Sequence, residues 1–471
     1  MRARASARPK NSDRLDRTRF RVEFDDPSLG RLSTKARGEG SMRIRVLGIV
    51  AFGLAMVCGA AEASDVGRRF PSEMQMVVDR VTGRSLTVLT SGAYRDSKIY
   101  PTHQQWSMDG NHIVFRSSDR AGVDSPQAFV VNEITGVITQ ITDSLGVNTG
   151  GLNVARLSNK VYYMRRPGDD EAAQLIEIDL AALLADSAAG AIKPQGYDRV
   201  VATMPDDGSI SSGFGLDADE RTAYVSFDST MPPPRAPGAL VPQVPSGIRA
   251  VDIATGAVRE VVRTPFRIGH IQANPIKPGE IMYCHETGGD APQRMWIVNG
   301  DGSNNRPLYV EQPGDWVTHE QFADADHVIF NLMGHTRELR QRPSGIMVVS
   351  TIDGTVENLG QTDSATVTRS ELQYLESPNI PQDETNTGGY WHNAVTYDRR
   401  WAAGDDFDGN VHLIDRRTGQ RTLLTGGHRM RPDHAHPSFS PDGSRVLLQS
   451  GMMTDGQRLS LVIVPVPENG E

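Results

Sequence analysis

The chain of 471 residues holds twelve histidines, and their surroundings sort them into two kinds. His112, His327 and His412 lie inside or at the head of β-branched runs and read as structural. The others of interest stand at the edges of such runs. They are His270 in Arg-Ile-Gly-His, His285 in Tyr-Cys-His-Glu, His319 in Val-Thr-His-Glu-Gln-Phe, His392 in Tyr-Trp-His-Asn, and the pair His434 and His436 in Asp-His-Ala-His-Pro-Ser-Phe. Imidazole changes its charge near neutral pH and serves as a general base or a metal ligand. The spacing of His434 and His436 adds a geometric reason. In an extended segment residues two apart point the same way, so these two rings and a third from elsewhere make a site for a divalent cation.

Such a site needs elements that gather distant segments, and the sequence repeats a unit suited to this. A turn and a β-rich run lead through a gap to a second run and another turn. Examples are Ser107-Met-Asp-Gly leading to Thr135-Gly, Asp217-Ala-Asp-Glu to Thr255-Gly, Lys277-Pro-Gly-Glu to Asp301-Gly, Ala323-Asp-Ala-Asp to Asp353-Gly, and Tyr397-Asp-Arg-Arg to Thr418-Gly. Asp-Gly and Thr-Gly pairs supply the positive φ of tight hairpins. A period of roughly 40 to 50 residues with about four short strands marks propeller blades. The expected fold is all-β, a seven-bladed β-propeller. Its blades fall near 103–142, 149–202, 212–262, 269–309, 318–359 and 388–424, and a last one joins 434–466 to an N-terminal strand around 74–90. Closure by both chain ends hides sheet edges that would otherwise aggregate. Residues 174–188 read as strand running into a short helix, and the Pro-rich 230–246 and polar 361–390 as long loops. Four of the histidine contexts come just before a turn-plus-strand unit, where the innermost strand of a blade begins. Several blades then aim imidazoles at one axial site.

The formal charge of -9, from 49 basic and 58 acidic residues, argues against a nucleic-acid partner. Residues 1–41 carry 11 Lys and Arg with no sustained apolar period and read as a mis-called or disordered extension. Residues 42–63 read as a signal peptide: Arg43 and Arg45, an apolar stretch from Val46 to Val57, then Ala61-Glu62-Ala63. The stretch is short for a membrane span, so no stable membrane insertion is expected after cleavage. The product is periplasmic or secreted, with residues 70–471 as the propeller domain. Cys58 leaves with the leader, and Cys284 remains without a disulfide partner.

On five motifs the chain resembles the oligogalacturonate lyases, polysaccharide lyase family twenty-two. They are Ile268-Gly-His-Ile-Gln-Ala-Asn-Pro, Tyr283-Cys-His-Glu, Arg294-Met-Trp-Ile-Val-Asn-Gly-Asp-Gly-Ser-Asn, Thr318-His-Glu-Gln-Phe and His434-Ala-His-Pro-Ser-Phe-Ser-Pro-Asp-Gly. The resemblance implies a seven-bladed propeller that cleaves uronic-acid oligosaccharides by β-elimination with a Mn²⁺-type divalent cation. It implies His319 as the base that takes the C5 proton and Arg294 as its partner. His434 and His436 match two metal ligands and His392 a third. The family's fourth ligand is a glutamine, and Arg431 stands at that position. A guanidinium has no lone pair to give a metal but suits a substrate carboxylate. Arg431 is therefore expected to bind substrate, and the resemblance implies that His270 and His285 line the subsites. Strand-start Asp-Gly repeats also resemble those of Tol-type envelope propellers, so the alternative reading is a non-catalytic periplasmic binding or assembly module.

Overall fold

The turns are built by side chains that bond back to their own loop. Asn132 and Asp252 each accept from the main-chain N–H and the hydroxyl of a threonine three residues on, at 2.8 and 3.1 Å for Thr135 and 2.7 and 2.8 Å for Thr255. Gly136 and Gly256 follow at φ 71° and 73°, where a side chain would be strained. At other hairpins the hydroxyls of Ser107 and Ser440 donate to Asp109 and Asp442 at 2.6 and 2.5 Å. These local bonds fix where each strand ends and the next begins.

The computed structural model describes residues 64–468 apart from 124, 169, 236–240, 289–290, 314, 334–343, 363–388 and 430–431. The extension 1–41, the leader 42–63, Arg431 and most of the 361–390 connection thus lie outside the described residues. Seven antiparallel sheets stand among the described residues, and the fold is a seven-bladed β-propeller. Five blades are four successive strands, the innermost being Val147–Val154, Ser209–Leu216, Ile268–Ala273, Val317–Phe322 and Tyr390–Val395. The first blade starts at Asp96–Lys98, earlier than expected, and gains Arg69–Phe70 at its outer edge. Asp-Ser-Lys has no β pattern to read. Asp96 is buried because Arg120 pairs with it at 2.5 Å. The seventh blade is Ser438–Phe439, Arg445–Ser450 and Ser460–Pro465, completed outside by Ser85–Val88 and Gln75–Val78. The strand Gln174–Asp179 does run into a helix, Leu180–Ala189, whose Ala182 N–H donates to Asp179 at 3.0 Å. No helix among the described residues is long and apolar enough to cross a membrane.

The core is divided among the seams between blades. In the first blade Val114 and Val130 pack on Leu152, Val161, Tyr163 and Ile176 of the second. Their neighbours Ile113, Phe115, Phe129 and Val131 turn the other way, onto Leu447, Leu461 and Ile463 of the seventh. Successive strand residues point to opposite faces, so each blade buries both faces against two neighbours. A ring is the arrangement that leaves no face over.

Candidate active site

Regular strand pairing fails at the axis, and the histidines stand where it fails. In Ile268–Ala273, Gly269 faces Cys284 and Gln272 faces Met282, so His270 and Ile271 together oppose one residue. In Val317–Phe322, Thr318 faces Asn331 and Gln321 faces Ile329, so His319 and Glu320 share one partner position. The first residue of each bulge is left-handed, His270 at φ 44° and His319 at 53°. His436, just ahead of Ser438–Phe439, lies at φ 49°. Glycine normally takes such positions, and another residue there costs roughly 1–2 kcal/mol. Three strained histidines on three blades mark a site where the conformation serves something other than stability. In Tyr390–Val395 the extra residue is Trp391, which shifts His392 into register with Asp405.

Two of these bulged strands and the segment ahead of Ser438–Phe439 bring four imidazoles together. The His392 ring centroid lies 4.1 Å from that of His319, 3.8 Å from His436 and 5.4 Å from His434. Trp391 packs edge-on against His319 at 4.7 Å and lies 5.6 Å from His434. Trp316, Met333 and Phe407 extend this apolar wall. Asp405, itself fully buried, holds the group from behind. It accepts the N–H of His392 at 2.6 Å and that of His436 at 3.2 Å, and its oxygens lie 3.2 and 3.1 Å from His392 Nδ1. That contact assigns the proton to Nδ1 and leaves Nε2 with a lone pair. Lys98 Nζ donates to the His436 carbonyl at 2.5 Å and to Ser438 Oγ at 2.6 Å, so the left-handed residue is held on both sides.

Burial, reinforced by neighbouring imidazoles, holds His319 and His392 well below the ordinary histidine range. Burial lowers His434 to about 4. All three are neutral at pH 7. Nδ1 of His319 and of His434 is buried with no hydrogen-bond partner. Ligand atoms of His392, Asp405 and His434 lie within 4.8 Å of one another. Neutral nitrogens beside a carboxylate are a donor set that fits a divalent cation. Next to the imidazoles is a buried ion pair, Arg294 Nε to Glu320 at 3.0 Å. Burial opposes the Arg294 charge, and Cys284, Glu320 and Glu286 more than offset it.

Residues 243–469 match the family model described as oligogalacturonate lyase. The oligogalacturonate lyase of Dickeya dadantii (strain 3937) is 23% identical over 431 residues, which cover 86% of this chain and 98% of that protein. The oligogalacturonide lyase of Pectobacterium atrosepticum is 22% identical over 440 residues, with the same coverage of 86% and 98%. Over most of its length this chain is thus similar to the oligogalacturonate lyases. Its class is therefore that of the polysaccharide lyases. Solved structures agree on the fold. An oligogalacturonate lyase in complex with manganese superposes with a TM-score of 0.64 at 19% identity, over 86% of this chain and 99% of that one. The oligogalacturonate lyase of Vibrio parahaemolyticus gives 0.65 at 19%, over 86% and 100%.

In this relative of the oligogalacturonate lyases the structure gathers His319, His392, His434 and His436, with Arg294 beside them. His434 and His436 arrive by an unexpected route. Neither lies in a strand, and His436 is left-handed, so a turn and not strand alternation brings both rings to His392. His270 joins the rim, its ring 5.2 Å from Tyr100, which is in turn 6.3 Å from His436. His285 stays apart. It stacks on Phe266 at 4.3 Å, and its Nε2 lies 3.0 Å from Gln243. Alternation puts its neighbours Cys284 and Glu286 on the other side, and Glu286 meets His270 at 3.3 Å. His112, His327 and His412 pair with Asp109, Asp324 and Asp406 at 3.2, 2.8 and 3.0 Å.

Sequence reading missed Glu286, Glu320, Asp405, Lys98, Tyr100 and Trp391. Glu286 and Glu320 each directly follow a selected histidine, and Trp391 directly precedes one. Asp405 stands in a Gly-Asp-Asp run, a weaker signal. Lys98 sits in a stretch with no pattern at all.

The enzyme should be acid-sensitive in a defined window. Burial lowers His103 and His428 to about 4 from 6.5. His428 is enclosed, with Thr425 and Ser450 hydroxyls at 3.0 and 2.9 Å. Between these values the unfolded chain binds protons that the folded chain does not, so stability rises with pH there. The unfolding temperature is expected to hold above about pH 6.5 and fall steadily toward pH 4. A His428→Gln variant should show a shallower fall. Equal slopes in thermal melts would remove His428 from this account.

Proposed function

We propose that the protein is an exported lyase that cleaves uronic-acid oligosaccharides of the oligogalacturonate type by β-elimination. The observation that carries this reading is His319: a neutral, strained imidazole, its Nδ1 unpartnered, within electrostatic reach of Arg294. The proton at C5 of a uronate is weakly acidic because the adjacent carboxylate is negative. A neutral imidazole suits its removal, and the oxygen at C4 then leaves. Arg294 supplies positive charge where the enediolate develops, and the Glu320 contact fixes its direction. Trp391 and Trp316 exclude water from one side of the base.

His392, His434 and His436 would hold a divalent cation, Mn²⁺ by analogy with the manganese-bound relative. That cation supplies positive charge to a substrate carboxylate. Asp405 orients His392 and His436 for the task. Arg431 and His270 are assigned to substrate, and His270 has the geometric support, since it shares Tyr100 with His436; His285 packs on Phe266 instead. The leader at 42–63 supports a periplasmic or secreted location.

Purified protein incubated with digalacturonate and other uronic oligomers should form an unsaturated uronate, read by its ultraviolet absorbance. Chelator should stop the reaction and Mn²⁺ restore it. No unsaturated product from any uronate tried would sink the proposal.

A further inference from the structure

Beside the imidazole cluster lies a second group of donors with different chemistry. Cys284 lies in the strand Glu280–His285, Glu286 follows two residues on, and His270 occupies the bulge of the adjoining inner strand. His270 Nε2 is 3.3 Å from Glu286 Oε2, and Cys284 Sγ is 3.7 Å from the same oxygen. All three ligand atoms lie within 4.8 Å of one another. In a tetrahedral site, bonds of about 2.0 Å to nitrogen or oxygen and 2.3 Å to sulfur place N and O about 3.3 Å apart and S and O about 3.5 Å. The donors already stand near the edges of such a tetrahedron. We propose that His270, Cys284 and Glu286 form a second cation site, for a thiophilic divalent ion such as zinc, with its fourth position open to the channel.

Charge and access support the assignment. Glu320 is 1% exposed and faces Cys284, and its Oε1 has no hydrogen-bond partner. Binding sends the thiol proton to solvent. The thiolate and the carboxylates of Glu286 and Glu320 then balance a divalent ion plus the Arg294 guanidinium. Burial, with Glu320 and Glu286, holds the Cys284 thiol well above its ordinary range against the opposing charge of Arg294, so the cation itself must displace the thiol proton. The side chains of His270 and Glu286 are 30% and 18% exposed, which gives an entry path. The thiolate sets this site apart from the imidazole cluster, since sulfur selects zinc or cobalt over manganese. It does not depend on which sugar the enzyme cleaves.

Cobalt titration of the metal-free full chain tests this, because thiolate-bound cobalt has a charge-transfer band in the near ultraviolet that imidazole-bound cobalt lacks. Wild type should develop the band, and a His434→Ala, His436→Ala double variant should keep it. Cys284→Ser should lose it while still taking up cobalt at the imidazoles. Glu286→Gln should need at least about tenfold more cobalt for half-saturation. Absence of the band in cobalt-saturated wild type overturns the proposal. So does its persistence in Cys284→Ser, or an unshifted titration in Glu286→Gln, which remains informative even if the serine variant fails to fold.

Discussion

Replacing His319 by alanine is expected to lower lyase turnover by about 10²–10⁴-fold, the usual contribution of a positioned general base. The more informative variant is His319→Gly. Both changes delete the imidazole, so both should be inactive to the same degree. They differ in the backbone. At φ 53° alanine keeps the left-handed strain that histidine bears, whereas glycine is free of it. His319→Gly should therefore be more stable than His319→Ala by roughly 1 kcal/mol, read from denaturant midpoints. That result would reveal an exchange of stability for geometry at the base. Equal midpoints would mean that the bulge imposes the conformation without strain. Full activity in either variant would remove His319 from the mechanism.

Arg294→Ala should have the largest effect on folding. Its partner Glu320 has a fully buried side chain, and removal of one member of such a pair costs about 3–5 kcal/mol because the other charge is left without compensation. Activity should vanish as well, but a destabilised protein gives that result little meaning. The double variant Arg294→Met, Glu320→Leu separates the two effects. With both charges gone and the volume filled, stability should recover most of its loss while lyase activity stays absent. Recovered activity would show that the pair is structural and has no part in charge neutralisation. Arg294→Lys should sit between, since an ammonium keeps the charge but not the directed Nε contact with Glu320.

Much of the fold was legible because its turns are written in short local code. Asn132 with Thr135-Gly136, and Asp252 with Thr255-Gly256, form their turns from adjacent side chains, so spacing alone reveals them. The strands between them are buried on both faces, which gives plain β-branched runs. The candidate site was legible only by residue type. Nothing in the order of letters shows that His270, His319 and His436 are left-handed, because a bulge depends on pairing with the next strand. Asp405 and Lys98 were silent for a related reason. Their value lies in main-chain groups of His392 and His436, which sequence does not display. His285 was chosen for its motif, yet alternation gives the channel to Glu286.

The ring closes through partners made at opposite ends of synthesis. The Leu461 N–H donates to Thr90 Oγ1 from 371 positions away, and Thr87 pairs with Ile463. The outer strands of the last blade are translated first and wait, with unpaired edges, until the C-terminus arrives. Such distant pairing makes folding slow and places it after the chain is complete. His434 and His436 belong to the closing segment, so an unclosed ring lacks half of the imidazole cluster. On the proposed function, competence is thereby a readout of a finished chain: a molecule clipped before Asp433 would keep His319 and Arg294 but lose two of the three histidines assigned to the cation.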